Sequence, residues 1–372
     1  MKRGRFFKEI GLILATTIGA EIFALPYVFK EAGWVLSFLY LVVLSLVMTT
    51  VHSLYWRVLV ETGGKKRLLG ILREHFGAGV FYLATLFVLG GLILVLTAYL
   101  ILGAGFLNLI FPGLGSEAIF IFWFLVSIPI AFRFRRIFGL EVLGGILMVG
   151  LVGFLFYNFW SAGGNFSVEG WRAENLFLPF GVMIFALTGW TAIEPIYDSY
   201  RGRSTEMSFK ARVFQFGVAT FGVALVYLFF VLAVLVSAGK VTPDTISGLL
   251  NWPEWELKLL GIFGIFALAT SYWPIALEIK NLTVRDLKFS KSWVSAAVLV
   301  LPLLLVFLGL KSFFGVTSFV GGVFLAGQYL FLILAAEKLL GYKGIKQFWL
   351  FLLAAVFLLG AVYQVLQVGH LL

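Results

Sequence analysis

The chain is a succession of apolar stretches, each about as long as a bilayer is thick. A helix needs about 20 mainly apolar residues to cross the hydrocarbon core, because each residue rises about 1.5 Å. Lipid offers the backbone no hydrogen bonds, so only helices or closed barrels can span it. Runs of this length read as helices, and eleven are found: 8–29, 34–56, 79–110, 117–132, 138–160, 176–197, 211–238, 257–279, 293–310, 313–336 and 346–367. The third and seventh are long enough to imply tilt. Only 12% of the 372 residues are charged, against about 25% in soluble domains. The predicted class is an all-α polytopic membrane protein with about 11 transmembrane helices.

The net charge of +10 first suggests nucleic acid, but its distribution argues otherwise. With residues 1–7 as a short cytoplasmic tail, inside segments hold 23 of the 28 Lys and Arg residues. Only Lys30, Arg172, Lys240, Lys258 and Lys311 fall outside. The excess recurs at every internal loop, as the positive-inside rule requires. It predicts a multi-pass protein of the plasma membrane, N-terminus cytoplasmic and C-terminus outside, with lipid rather than nucleic acid as partner. No loop reads as a soluble domain, so 8–372 is one transmembrane domain. There is no cysteine, and His52, His75 and His370 show no metal spacing. No metal-binding or nucleophilic enzyme motif is present, and no cleavable signal is evident.

Two runs are interrupted where an uninterrupted helix is expected. The first contains Thr16-Thr17-Ile18-Gly19-Ala20-Glu21, closed by Pro26. The sixth contains Phe185-Ala186-Leu187-Thr188-Gly189-Trp190, followed by Glu194-Pro195. Counting from Lys8 to Gly19 and from Phe177 to Gly189 puts both breaks about 16–18 Å deep, near the middle of a core about 30 Å thick. Five spans precede the sixth, so the second half enters from the opposite side. Spans over 8–160 and 176–336 then form a 5+5 inverted repeat, with 346–367 as an extra helix. Paired discontinuous helices at corresponding positions point to a transporter binding site. Each break frees amides, suited to a carboxylate, and carbonyls, suited to an ammonium, Na⁺ or a protonated partner.

These residues carry a family likeness. Ile18 to Tyr27 with Glu31-Ala32-Gly33-Trp34 resembles the first helix of the amino acid/auxin permease family, in particular the aromatic amino acid permeases of bacteria and archaea. That family belongs to the amino acid–polyamine–organocation superfamily. Pro179-Phe180-Gly181-Val182 with Phe185-Ala186 and Ala192-Ile193 is similar to its sixth helix. Thr270-Ser271-Tyr272 followed by Asp286 resembles its eighth helix and exit, and Phe319-Val320-Gly321-Gly322 its tenth. The resemblance implies a leucine-transporter-like fold and secondary active amino acid transport by alternating access. It also implies a Na⁺ position formed by carbonyls of Ala15 and Ile18 with Ala267, Thr270 and Ser271. Two departures stand out: Glu21 replaces a glycine whose amide holds the substrate carboxylate, and Ile193-Glu194-Pro195 replaces Ile-Pro-Glu.

The substrate-binding candidates are Thr17, Gly19, Ala20, Glu21, Tyr99, Phe185, Ala186, Thr188, Gly189 and Trp190, with the three aromatics as gates. The coupling-ion candidates are Glu21, Glu194 and the five residues of the Na⁺ position. No other cofactor is expected, and H⁺ and Na⁺ both remain open. Three readings are open for Glu21. It carries a coupling proton, binds an amine or cation directly, or caps the half-helix. Thr270 and Ser271 either offer oxygens to an ion or bond back to their own helix. Glu194 either couples or forms a solvated pair with Asp198. The expected partner is an amino acid or, alternatively, an amine or polyamine held by Glu21; a non-transporting nutrient sensor is the other alternative.

Overall fold

A computed structural model of the chain describes residues 3–64, 66–131, 137–161, 170–200, 208–238, 240–285 and 287–371. Lys2, Lys65, Arg133, Arg135, Arg136, Arg201 and Arg203, among the inside basic residues, and Asp286 lie outside the described residues. Among those described, every regular element is a helix. The first run folds as α1 (Arg3–Thr17), a 3₁₀ stretch Ala20–Ala24 and α2 (Leu25–Ala32), with a bend of 53° between its halves. Next come α3 (Trp34–Glu61), α4 (Leu68–Ile110), α5 (Ala118–Ala131) and α6 (Ile137–Ser161). The sixth run is α7 (Leu178–Ala186), a 3₁₀ turn Trp190–Ala192 and α8 (Ile193–Tyr200). Then follow α9 (Phe209–Ser237), α10 (Glu254–Arg285) and α11 (Lys291–Phe307). The tenth run is α12 (Phe313–Phe319), a π-helical stretch Val320–Leu325 and α13 (Ala326–Leu340), and α14 (Ile345–Leu371) is the eleventh.

Eight described helices are long and apolar enough to cross a membrane, and the bent α1/α2 pair makes a ninth. Gly144–Tyr157 and Trp293–Phe307 are shorter apolar helices at the fifth and ninth positions. All eleven apolar runs are therefore helical, but several ends differ from the expected ones. The third run was expected to begin at residue 79, whereas α4 starts at Leu68 and is interrupted by Gly77 at φ 83°. That conformation suits glycine and separates a polar arm containing Arg73, Glu74 and His75 from the apolar span. An apolar-run criterion cannot see such an arm. Val241-Thr242-Pro243-Asp244 is followed by a 3₁₀ turn, Ile246–Gly248. Ser208, Ser290 and Ser312 cap α9, α11 and α12 by accepting backbone N–H bonds.

Packing follows the division into two five-span halves. The second and seventh spans pack together (α3 on α9), as do the third and eighth (α4 on α10). The first span packs on the fifth (α1 on α6), and the sixth on the tenth (α7 on α12 and the π stretch). This is the pairing expected when two halves are related by a two-fold axis in the membrane plane. The interrupted spans occupy the interior: residues 17–26 and 179–187 are all buried. α5 and α14 turn Phe120, Phe124, Leu358 and Leu359 outward, where lipid rather than water covers them. Arg5, Arg67 and Arg212 lie at one end of the bundle, called here the basic face.

Candidate substrate and ion site

The first break follows from its residues. α1 ends at Thr17, and the Ile18 N–H still reaches Leu14 O (2.9 Å). Gly19 then leaves the helical conformation at φ −141°, ψ −147°. The 3₁₀ stretch carries Glu21 in its first turn, and Pro26 sits in the first turn of α2, where a missing N–H costs nothing. Glu21 is buried; its Oε1 accepts a hydrogen bond from Tyr99 Oη (2.7 Å). Its Oε2 lies 2.5 Å from where a Gly19 Cβ would stand, and among the described residues no other residue supplies it with a hydrogen bond. The carboxyl also faces its own backbone N–H. It thus folds back over the amides that the family likeness reserves for a substrate carboxylate.

The second break runs over Leu187–Gly189, with α7 closed by Leu187 N–H to Met183 O (2.9 Å). Thr188 Oγ1 is joined to Tyr329 Oη of α13 by a short hydrogen bond. A Cβ on Gly189 would lie 2.5 Å from Thr17 Oγ1 and 3.4 Å from His52 Cε1. Gly189 thus lies directly against the first break, and a side chain there would push the two breaks apart. Phe185 is fully buried, and Trp190 packs edge-on against Tyr55 with ring centroids 5.8 Å apart.

One residue joins both breaks. Tyr227, on α9, places its hydroxyl 2.8 Å from Thr17 O and 2.7 Å from Ala186 O. These are terminal carbonyls of α1 and α7, the negative ends of two half-helix dipoles. The phenol has one proton to share between two acceptors. The site therefore concentrates oxygen: two backbone carbonyls, the Glu21 carboxyl and two tyrosine hydroxyls.

The five residues of the expected Na⁺ position lie where α1, α6 and α10 meet. A Cβ on Gly145 would stand 2.7 Å from Ala15 Cα, and one on Gly144 would overlap Thr270 Oγ1. The adjacent glycines of α6 let the fifth span approach both the first and the eighth closely. Thr270 Oγ1 donates to Ala267 O (2.9 Å) in its own helix, which is the back-bonded arrangement; Ile18 and Thr270 are buried and Ser271 is half-buried.

Glu194 sits apart from these groups, at the basic face. It accepts a short hydrogen bond from Tyr55 and pairs with Arg67, which also reaches Asp198 (3.3 Å). A cavity of about 160 Å³ opens beside this cluster, lined by Leu59, Gly64, Lys66, Tyr197 and the three ion-paired residues. A second network stands next to it. Arg212, with no exposed side-chain surface, pairs with Glu9 (2.8 Å) and stacks over Trp56 and Tyr200. Arg5 joins Glu9 (3.2 Å) to Ser199 O (2.7 Å).

The sequence reading missed Tyr227, His52, Arg67 and Arg212 as parts of this assembly. A tyrosine in an apolar run reads as packing or as an interfacial belt residue. Arg67 and Arg212 read as topology charges. Only the buried ionisable character of His52 was a usable signal.

No family model and no curated protein matches the chain. Solved structures do. MhsT in complex with L-phenylalanine is 14% identical with a TM-score of 0.64, covering 99% of each chain. A manganese transporter variant from Eremococcus coleocola is 12% identical with a TM-score of 0.65, over 95% of this chain and 85% of that one. Mhp1, a nucleobase-cation-symport-1 family transporter in a closed conformation with bromovinylhydantoin bound, is 15% identical with a TM-score of 0.60, over 98% and 91%. Two interrupted spans at the centre of a five-span repeat and this likeness over nearly the whole chain lead to one conclusion: the protein has the leucine-transporter-like fold of these membrane transporters.

Proposed function

We propose that the protein is an ion-coupled secondary transporter of amino acids, working by alternating access in the plasma membrane with its basic face cytoplasmic. The carrying observation is that both interrupted helices end on one hydroxyl, Tyr227, beside the buried carboxyl of Glu21. Freed carbonyls suit an ammonium group, and freed amides suit a carboxylate. Phe185 and Trp190 flank the second break as candidate gates. Glu21, or the Ala15, Ile18, Ala267, Thr270 and Ser271 position, takes the coupling H⁺ or Na⁺. A transition-metal cargo fits less well, since no group of three or more His, Asp or Glu residues that could hold a metal occurs among the described residues.

A second reading has its own support. Glu21 folds over Gly19, where an α-carboxylate would otherwise sit, and two anions at one set of amides repel each other. A substrate amine without a carboxylate avoids that conflict. Uptake by the purified protein in vesicles, under imposed H⁺ and Na⁺ gradients, tests both. Zwitterionic amino acids accumulating supports the first reading, and amines alone the second. No gradient-driven uptake across both panels rejects transport of either class.

A further inference from the structure

His52 lies about 9 residues from the basic-face end of α3, roughly 14 Å along the helix, and is 1% exposed. Neither Nδ1 nor Nε2 has a hydrogen-bond partner among the described residues. A neutral imidazole has one N–H to donate and one lone pair to fill, and leaving either unmade in an apolar interior costs about 1–3 kcal/mol. The ring is aimed at the junction of the breaks: Gly189 separates it from Thr17 Oγ1, which is also buried without a partner. On its far side the ring stands edge-on to Phe216 of α9 (6.4 Å), and one turn beyond, Thr220 is a third residue with an unpartnered buried atom.

One turn from His52 towards the basic face, Tyr55 shares its side of α3. Tyr55 touches Trp190 and donates to Glu194, which lines the open cavity. Polar groups therefore run from the junction of the breaks to that face. Most charges around this line are spoken for. Glu9 and Arg212 neutralise each other, and Arg67 holds Glu194 and Asp198. Tyr227 and Tyr329 are hydrogen-bonded within the breaks, Glu278 of α10 faces Tyr55, and Arg57 bonds Tyr342. Glu337 and Lys338 stand at the end of α13.

We propose that His52 is a proton-binding site of the transport cycle, loaded from the basic face along the Glu194–Tyr55 line. The lone pair of the neutral ring takes one proton from hydronium at the cavity, leaving water behind, and becomes an imidazolium; Thr17 Oγ1, across Gly189, is an unpartnered acceptor on the junction side. Return of that proton restores the neutral ring. The inference rests on the ion-coupled reading above and gives it a proton carrier distinct from Glu21.

With only three histidines in the chain, the test is direct. Full-length protein carrying His75→Gln and His370→Gln is labelled with ¹⁵N-histidine, leaving His52 as the one observed ring. Its nitrogen shifts are expected to move from neutral to protonated positions as the pH is lowered from about 8 to about 3, a span that covers free and buried imidazoles, and Thr17→Val is expected to displace the midpoint. A ring that stays neutral across that range overturns the proposal, whatever the protein carries. In vesicles, His52→Gln is expected to reduce pH-gradient-driven amino acid uptake at least tenfold relative to the unmodified protein. Gradient-driven uptake unchanged in the variant also overturns it. If the unmodified protein takes up no substrate, the transport reading fails while the ring titration still decides the proton site.

Discussion

The middle of the bundle and its basic face treat polar groups in opposite ways. Among the described residues at the midplane, Glu21 has a tyrosine but no cation, and Thr17, His52 and Thr220 are buried with unpartnered atoms. At the basic face Glu9, Glu194 and Asp198 each meet an arginine. The two glutamates that look equivalent in sequence fall on opposite sides of this divide. Glu21 follows its glycine by two residues and stays in the break. Glu194 follows Gly189 by five, about one turn further, and that turn carries it out to Arg67. Unmet hydrogen-bonding capacity is costly in a membrane interior, so where it persists it is available to a ligand. The paired face supplies rigidity instead.

The sharpest way to break this contrast is to unpair the basic face. Glu9→Ala strands the fully buried Arg212, and loss of one partner of such a pair costs about 3–5 kcal/mol; thermal unfolding in detergent should report a large fall. Arg212→Ala with Glu9→Ala together should lose less than the two single changes summed.

Tyr227→Phe comes next. It leaves Thr17 O and Ala186 O facing a ring edge, a cost of about 1–3 kcal/mol by the usual penalty for an orphaned buried acceptor. If unfolding is unaltered, the hydroxyl does not join the breaks. Glu21→Gln is expected to separate stability from function. Its amide oxygen still accepts from Tyr99, so unfolding should change by less than about 1 kcal/mol, whereas the pH dependence of substrate binding should shrink to the part carried by His52. An unchanged pH dependence would assign Glu21 to capping.

Smaller effects are expected at the surface. A double-mutant cycle with Arg67→Gln and Glu194→Gln should give a coupling of about 0.2–1 kcal/mol, weakened by salt, because Arg67 is half exposed. On the polar arm, the Lys66 ammonium 3.1 Å from Glu74 holds that carboxyl below its usual range. A depressed carboxyl value favours the folded pair above the unfolded value and loses that advantage as pH falls through the folded one. Lys66→Gln should move the Glu74 midpoint upward, as read by carboxyl NMR.

Much of the scaffold was legible because its cause is local. A run of apolar residues must be a helix in lipid, and glycine with proline inside such a run must interrupt it. Thr17, Gly19, Glu21 and Thr188–Trp190 were found that way, by their cost at that depth. The partners that organise them were not legible. Tyr227 lies over two hundred residues from Thr17, and nothing in α9 distinguishes its ring from the neighbouring Phe229 and Phe230. Arg67 and Glu194 meet only because the loop after α3 folds under α8. Pairings of that kind follow from tertiary geometry, which periodicity does not encode.

The contact between the sixth and tenth spans has a mechanical consequence. A Cβ on Gly321 would overlap the Gly181 carbonyl and stand 2.9 Å from Phe185 N, so main chain touches main chain with no side chain between. A layer of side chains can shear by changing rotamers; bare backbone has no such compliance. The two segments therefore behave as a welded seam: α7 tilts only by carrying the π stretch with it. The flexible joints of the molecule must lie elsewhere, at Gly19 and at Leu187–Gly189, where the helical hydrogen bonds are already absent.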